Sequence, residues 1–106
     1  MSSRYRRYEF LLPQRFNDGR AVPDDLYAET ILELREKFGA VSSESQTIYG
    51  VWEHGKHVYR DELIRVFVDV PDALETEEFF REFKERLKAR FEQIDIWMTA
   101  YPVEVI

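Results

Sequence analysis

Eight consecutive residues constrain the fold more than any others: Leu63-Ile64-Arg65-Val66-Phe67-Val68-Asp69-Val70. Side chains alternate across a strand, so Ile64, Val66, Val68 and Val70 share one face and Leu63, Arg65, Phe67 and Asp69 the other. The first face is purely aliphatic and has to be buried. The second mixes aliphatic, aromatic and charged groups. Such a strand fits a sheet with helices on one side only.

The flanking segments supply the rest of that sheet. In 5–12, Tyr8, Phe10 and Leu12 alternate with Arg7, Glu9 and Leu11, and Pro13 ends the run. A polar loop follows around Asn17-Asp18-Gly19, residue types that tolerate the backbone angles of a tight turn. Pro23 suits the first position of a helix, where its missing N–H costs nothing. Asp24 and Asp25 complement the positive end of the helix dipole. Tyr27, Ile31, Leu34 and Phe38 then form one apolar stripe, and Gly39 is placed to cap it. Residues 40–70 read as a β-hairpin with its turn near His54-Gly55-Lys56. Asp72 with Glu75, or else Thr76, is expected to cap a second helix running to about Phe91. Its apolar stripe is Phe80, Phe83, Leu87 and Phe91, and its outer face pairs Glu77 with Arg81 and Glu82 with Arg86. Gln93 to Tyr101 alternates as a last strand, with Ile94, Ile96 and Met98 against Asp95, Trp97, Thr99 and Tyr101. Pro102 marks an edge or the end of pairing. The apolar tail Val103–Ile106 is expected to pack.

Strand, helix, hairpin, helix, strand is the order of a ferredoxin-like α+β domain: βαββαβ, a four-stranded antiparallel sheet with two helices on one face. The 1–106 chain is expected to be one such domain, its 106 residues being too few for two ordinary ones. The opposite sheet face is then left bare. It carries Leu63, Arg65, Phe67, Trp97, Thr99 and Tyr101, with Leu11 and either Tyr49 or Trp52. That surface is more aromatic than isolated exposed residues make. A second copy, a small ligand or stacked nucleic-acid bases can cover a face of this kind.

Charge decides against the last. The net charge is −6, and nucleic-acid affinity rests mainly on cations that neutralise phosphates. The one basic cluster, Arg4, Arg6 and Arg7, reads as a solvated arm entering the first strand. With no cysteine, disulfides, cysteine-rich zinc sites and thiol nucleophiles are excluded. No apolar run approaches the ~18 residues of a membrane span, and MSSRYRRYEF lacks the apolar stretch of a signal peptide. The expectation is a soluble, cytoplasmic protein with no membrane partner.

The richest polar stretch holds Trp52, Glu53, His54, His57, Tyr59, Asp61 and Glu62. Imidazole and carboxylate are competent metal ligands, but the two histidines stand across an exposed turn in no recognised ligand spacing. No metal or other cofactor is therefore expected. Asp61 and Arg65 share a strand face and are candidates for an ion pair across a dimer interface or for a pocket wall with Tyr59. Glu62 points the other way; burial there would raise its pKa and make it a candidate base, whereas a strand end in solvent would leave it ordinary. Gly50, inside a strand pattern, suggests a bulge or a close backbone approach.

Asp18-Gly19 before the first helix, Phe38-Gly39 closing it, Gly50-Val51-Trp52, Glu62 entering an apolar strand and Phe91-x-Gln93 together have a familiar spacing. The chain resembles a family of small bacterial proteins of unknown function with a ferredoxin-like fold. The resemblance implies that fold and no catalytic residues. The preferred reading is a non-enzymatic, self-associating module, a homodimer through the open sheet face. The alternative is a small-molecule sensor or an enzyme of the dimeric α+β barrel type, with its pocket between that face and the 52–62 hairpin.

Overall fold

A computed structural model describes residues 4–106. The elements run β1 (Tyr5–Pro13), α1 (Asp24–Phe38), β2 (Ser42–His54), β3 (His57–Pro71), α2 (Leu74–Arg90) and β4 (Met98–Val103). The strands form one antiparallel sheet in the order β2-β3-β1-β4. This is the ferredoxin-like α+β fold that the element order predicts.

The core lies where the alternation places it. Tyr8, Phe10 and Leu12 of β1 and Val66, Val68 and Val70 of β3 are buried together with Leu34 of α1 and Phe80, Phe83 and Leu87 of α2. Tyr8 stacks on Phe80 with ring centres 3.9 Å apart, and Phe10 meets Phe83 edge-on at 5.8 Å. A buried Phe contributes about 3 kcal/mol or more against truncation, so this face holds most of the stability. The helices are also tied to each other. Arg90 donates to Thr30 Oγ1 at 2.9 Å and to Glu33 at 2.6 Å, and Arg86 donates to Glu33 at 2.8 Å.

Several local expectations change. Pro23 is the extended residue before α1, with φ −63° and ψ 145°, rather than its first helical residue. Neither Asp72 nor Thr76 caps α2; Ala73 holds the cap position with no side-chain bond, and the Thr76 N–H donates to the Ala73 carbonyl at 3.1 Å. Glu77 and Arg81 pair at 2.7 Å as expected, but Arg86 turns to Glu33 of α1, because a carboxylate on the neighbouring helix offers a partly buried partner. The Arg4–Arg7 cluster is divided: Arg6 and Arg7 lie within β1 and point to opposite faces.

The last strand starts late. Residues 94–97 are irregular, Ile94 is exposed, and β4 begins at Met98. Pro102 lies within β4, opposite Arg6 of β1, which an outer strand tolerates. Val105 and Ile106 are exposed, so the tail beyond Val103 does not pack.

The β2–β3 hairpin is longer than the sheet it belongs to. β1 pairs with β3 from Leu63 to Pro71 only, while β2 pairs back to His57. Residues 49–62 therefore form a two-stranded arm. Its turn is Gly55-Lys56, with a positive φ of 63° at Gly55, an angle that glycine adopts without strain. The β2 register slips between Glu44 and Ile48, so the bulge falls there and not at Gly50. Gly50 is a close approach: a Cβ would stand 3.0 Å from Leu63 Cδ1.

Candidate functional site: the open sheet face

Register alone assigns the uncovered face. Directly opposed residues share a face, so Phe67 lies with Ser42 and Glu9, Arg65 with Glu44 and Leu11, and Tyr59 with Trp52. On the other flank, Tyr101 lies with Arg7 and Thr99 with Glu9. Trp97 precedes β4, yet its carbonyl accepts the Leu11 N–H at 3.1 Å, which continues the same row. Leu63, Arg65, Phe67, Trp97, Thr99 and Tyr101 thus stand on one surface. Of the two aromatics left open on β2, Trp52 is the one on it. Tyr49 opposes Glu62 on the other side of the arm.

Phe67 is the centre of the charged half. Arg7 and Arg65 both lie over its ring, with Cζ 4.5 and 4.4 Å from the ring centre. Each is also paired with carboxylates. Arg7 grips Asp69 with two hydrogen bonds of 2.7 and 3.0 Å. Arg65 donates to Glu9 and to Glu44, and the Tyr101 hydroxyl donates to Glu9 as well. The Arg65 hydrogen bond, helped by Tyr101, holds the Glu9 carboxyl below its ordinary pKa against partial desolvation. Arg7 does the same for Asp69. The sequence places these residues on one face. It does not reveal that Arg65 would choose Glu9 and Glu44 over Asp61, because that choice depends on which strands become neighbours.

The other half of the face is apolar and concave. Leu11, Leu63, Trp52 and Trp97, with Asp61 and Asp95, line a groove of about 350 Å³ where the arm leaves the sheet. Gly50 opens its floor. The Trp52 ring stacks on Tyr59 at 4.4 Å, and its Nε1–H donates to Asp61 Oδ2 at 2.5 Å. Asp95 meets Lys84 at 3.1 Å and accepts the Ile96 N–H at 2.9 Å. Leu11 and Asp95 stand on the side to which strand alternation assigns them, although Asp95 reaches it from the irregular 94–97 segment rather than from a strand.

The remaining candidates are dispersed. His54 and His57 oppose each other at the exposed end of the arm, with His57 4.3 Å from the Tyr59 ring. Glu53 opposes Val58 and so points to the opposite side from the histidines. Among the described residues, no three His, Asp or Glu side chains gather as a metal site. Glu62 is exposed and reaches Arg15 at 3.4 Å, so the buried-base possibility fails: the arm has already left the helices behind at that point.

Fold and face together define a ferredoxin-like α+β protein whose second sheet surface is uncovered and chemically divided. Solved structures share the architecture. A phage SAM lyase in complex with S-methyl-5′-thioadenosine aligns with a TM-score of 0.66 and 9% identity, over 99% of this chain and 92% of its own. The divalent cation tolerance protein CutA1 from Thermus thermophilus aligns at 0.63 and 15% identity, over 93% and 84%. CutA1 from Oryza sativa aligns at 0.63 and 14%, over 99% and 84%. At these identities the likeness is one of fold. No family model and no curated protein matches the sequence. No helix among the described residues is long and apolar enough to cross a membrane.

Proposed function

We propose that the chain is a non-enzymatic module that associates with a second copy of itself through the open sheet face, as a cytoplasmic homodimer. The observation that carries this reading is charge pairing within the face. Arg7, Arg65, Glu9, Asp69 and Glu44 satisfy one another around Phe67. Covering them would strand no isolated charge, the usual penalty for burying a polar surface. The exposed aromatic edge of Trp97 and Tyr101 then supplies anchors of the type that dominate interfaces. β1, nine residues long, spans ~30 Å at ~3.3 Å per residue, and four rows ~4.8 Å apart span ~19 Å, which bounds the footprint at roughly 600 Å² before the arm is added. A standard interface needs ~800 Å² per partner. The resemblance to uncharacterised bacterial ferredoxin-like proteins agrees with a role that needs no catalytic residue.

Sedimentation velocity tests it. A dimer at micromolar concentration that Trp97→Glu converts to monomer is the expected result. A clean monomer in the unsubstituted protein defeats the proposal.

A second reading has its own observation. The groove between the open face and the 52–62 arm has the size and apolar lining of a small-ligand site. The phage SAM lyase, similar in fold, is itself found in complex with a small molecule, S-methyl-5′-thioadenosine. A thermal-shift screen with small metabolites tests this reading, since a ligand at 100 times its Kd adds ~2.7 kcal/mol.

A further inference from the structure

The groove also says what kind of ligand it would take, and this inference rests on the second reading above. We propose that it binds an organic cation with a flat or bulky apolar body, such as a quaternary ammonium group on an aromatic ring.

Two indoles line the same concavity. Trp52 is held in place by its stack on Tyr59 and its hydrogen bond to Asp61, and Trp97 is 67% exposed. Indole presents the most favourable aromatic face to a cation. Aliphatic side chains, Leu11 and Leu63, complete the walls, and no lysine or arginine lines the groove. The two carboxylates differ. Asp95 is already matched by Lys84. Asp61 is half-buried, and among the described residues it has no cation within ion-pair distance; its described partner is the neutral Trp52 N–H. A partly desolvated carboxylate that lacks a counter-ion, beside two indole faces, favours a positive ligand. It disfavours an anion, and a neutral apolar body would leave the charge unmet.

The groove lies at the root of the arm and shares Leu11, Leu63 and Trp97 with the open face, so the association state is followed by sedimentation velocity at the titration concentration. Trp52 and Trp97 are the only tryptophans in the chain and report from the site itself. Titrating the unsubstituted protein with phenyltrimethylammonium should change tryptophan emission saturably. Its neutral isostere tert-butylbenzene should bind about tenfold more weakly. Asp61→Asn keeps an acceptor for the Trp52 N–H while removing the charge. It should cost the cation about tenfold in affinity and leave the neutral isostere unchanged. Equal binding of the two isosteres overturns the cation assignment while the groove survives as a ligand site. Saturable binding of neither overturns both. An Asp61→Asn variant that folds, as judged by circular dichroism, and binds the cation normally also overturns the assignment. Should that variant fail to fold, the isostere comparison on the unsubstituted chain decides alone.

Discussion

The two faces of this sheet are made from the same strands and do different physical work. On the helix side, Phe10, Val66 and Val70 are fully enclosed, and the buried side chains of β1 and β3 are all aromatic or aliphatic. One residue along each strand, Glu9, Arg65 and Asp69 face the other way and are held in ion pairs on that side. The covered face gains its stability from removing apolar area from water, which is indifferent to direction. The open face is organised by hydrogen bonds, which are directional. Truncating the first should unfold the protein; altering the second should change what it touches.

The largest expected effect tests that contrast directly. Phe10→Ala should lower unfolding free energy by about 3–5 kcal/mol in urea denaturation. Phe67→Ala should cost clearly less, because two guanidinium groups and solvent already border its ring. Equal losses would abolish the distinction between the faces.

Next in size, Trp97→Glu should leave stability within ~0.5 kcal/mol, as an exposed substitution does. It should also weaken self-association by about 2 kcal/mol or more, roughly thirtyfold, in sedimentation equilibrium. A large loss of stability without a change of association would place Trp97 in the fold rather than the interface.

A smaller effect follows from acidification. Glu9 and Asp69 have lowered pKa values in the folded chain, set first by Arg65 and Arg7. A depressed carboxylate stabilises above its unfolded pKa, ~4, and that contribution is lost as pH falls through the lower folded value. The urea midpoint should therefore decline as pH drops below ~4. Glu9→Gln should decline less steeply over the same range. Identical slopes would mean that the Glu9–Arg65 pair contributes nothing measurable.

The smallest effect concerns the groove. Gly50→Ala places a methyl group against the flexible end of Leu63. It should cost under ~1 kcal/mol and narrow the groove, detectable as weaker ligand binding with an almost unchanged melting temperature.

The contrast between faces also marks how much could be read in the sequence. The alternation in 63–70 and 5–12 assigns nearly every residue of β1 and β3 to the right side, because strand geometry is local and its period is fixed. The helix stripes are legible for the same reason. Partner choice is not local. Arg65 with Glu9 and Glu44, and Arg86 with Glu33, depend on strand order and helix docking that no short window contains. The late start of β4 is likewise tertiary. Ile96 is buried, as its place in the pattern suggests, but from an irregular segment rather than a strand. In the candidate site, Trp52 and Asp61 can be placed on one face by counting along the hairpin. The alternation also sets Asp95 beside Trp97, although both stand in an irregular segment ahead of β4 rather than in a strand.

The composition of β4 bears on how many copies could ever join. A sheet edge propagates only if each added strand offers donors and acceptors on its free side. Pro102 removes an N–H from a short outer strand, while β2, thirteen residues long and free of proline, forms the opposite edge. The sheet therefore has one blunted end and one receptive end. Joining two receptive ends closes an assembly, whereas head-to-tail stacking would need the blunted one as well. A few atoms of a pyrrolidine ring thus favour termination over polymerisation.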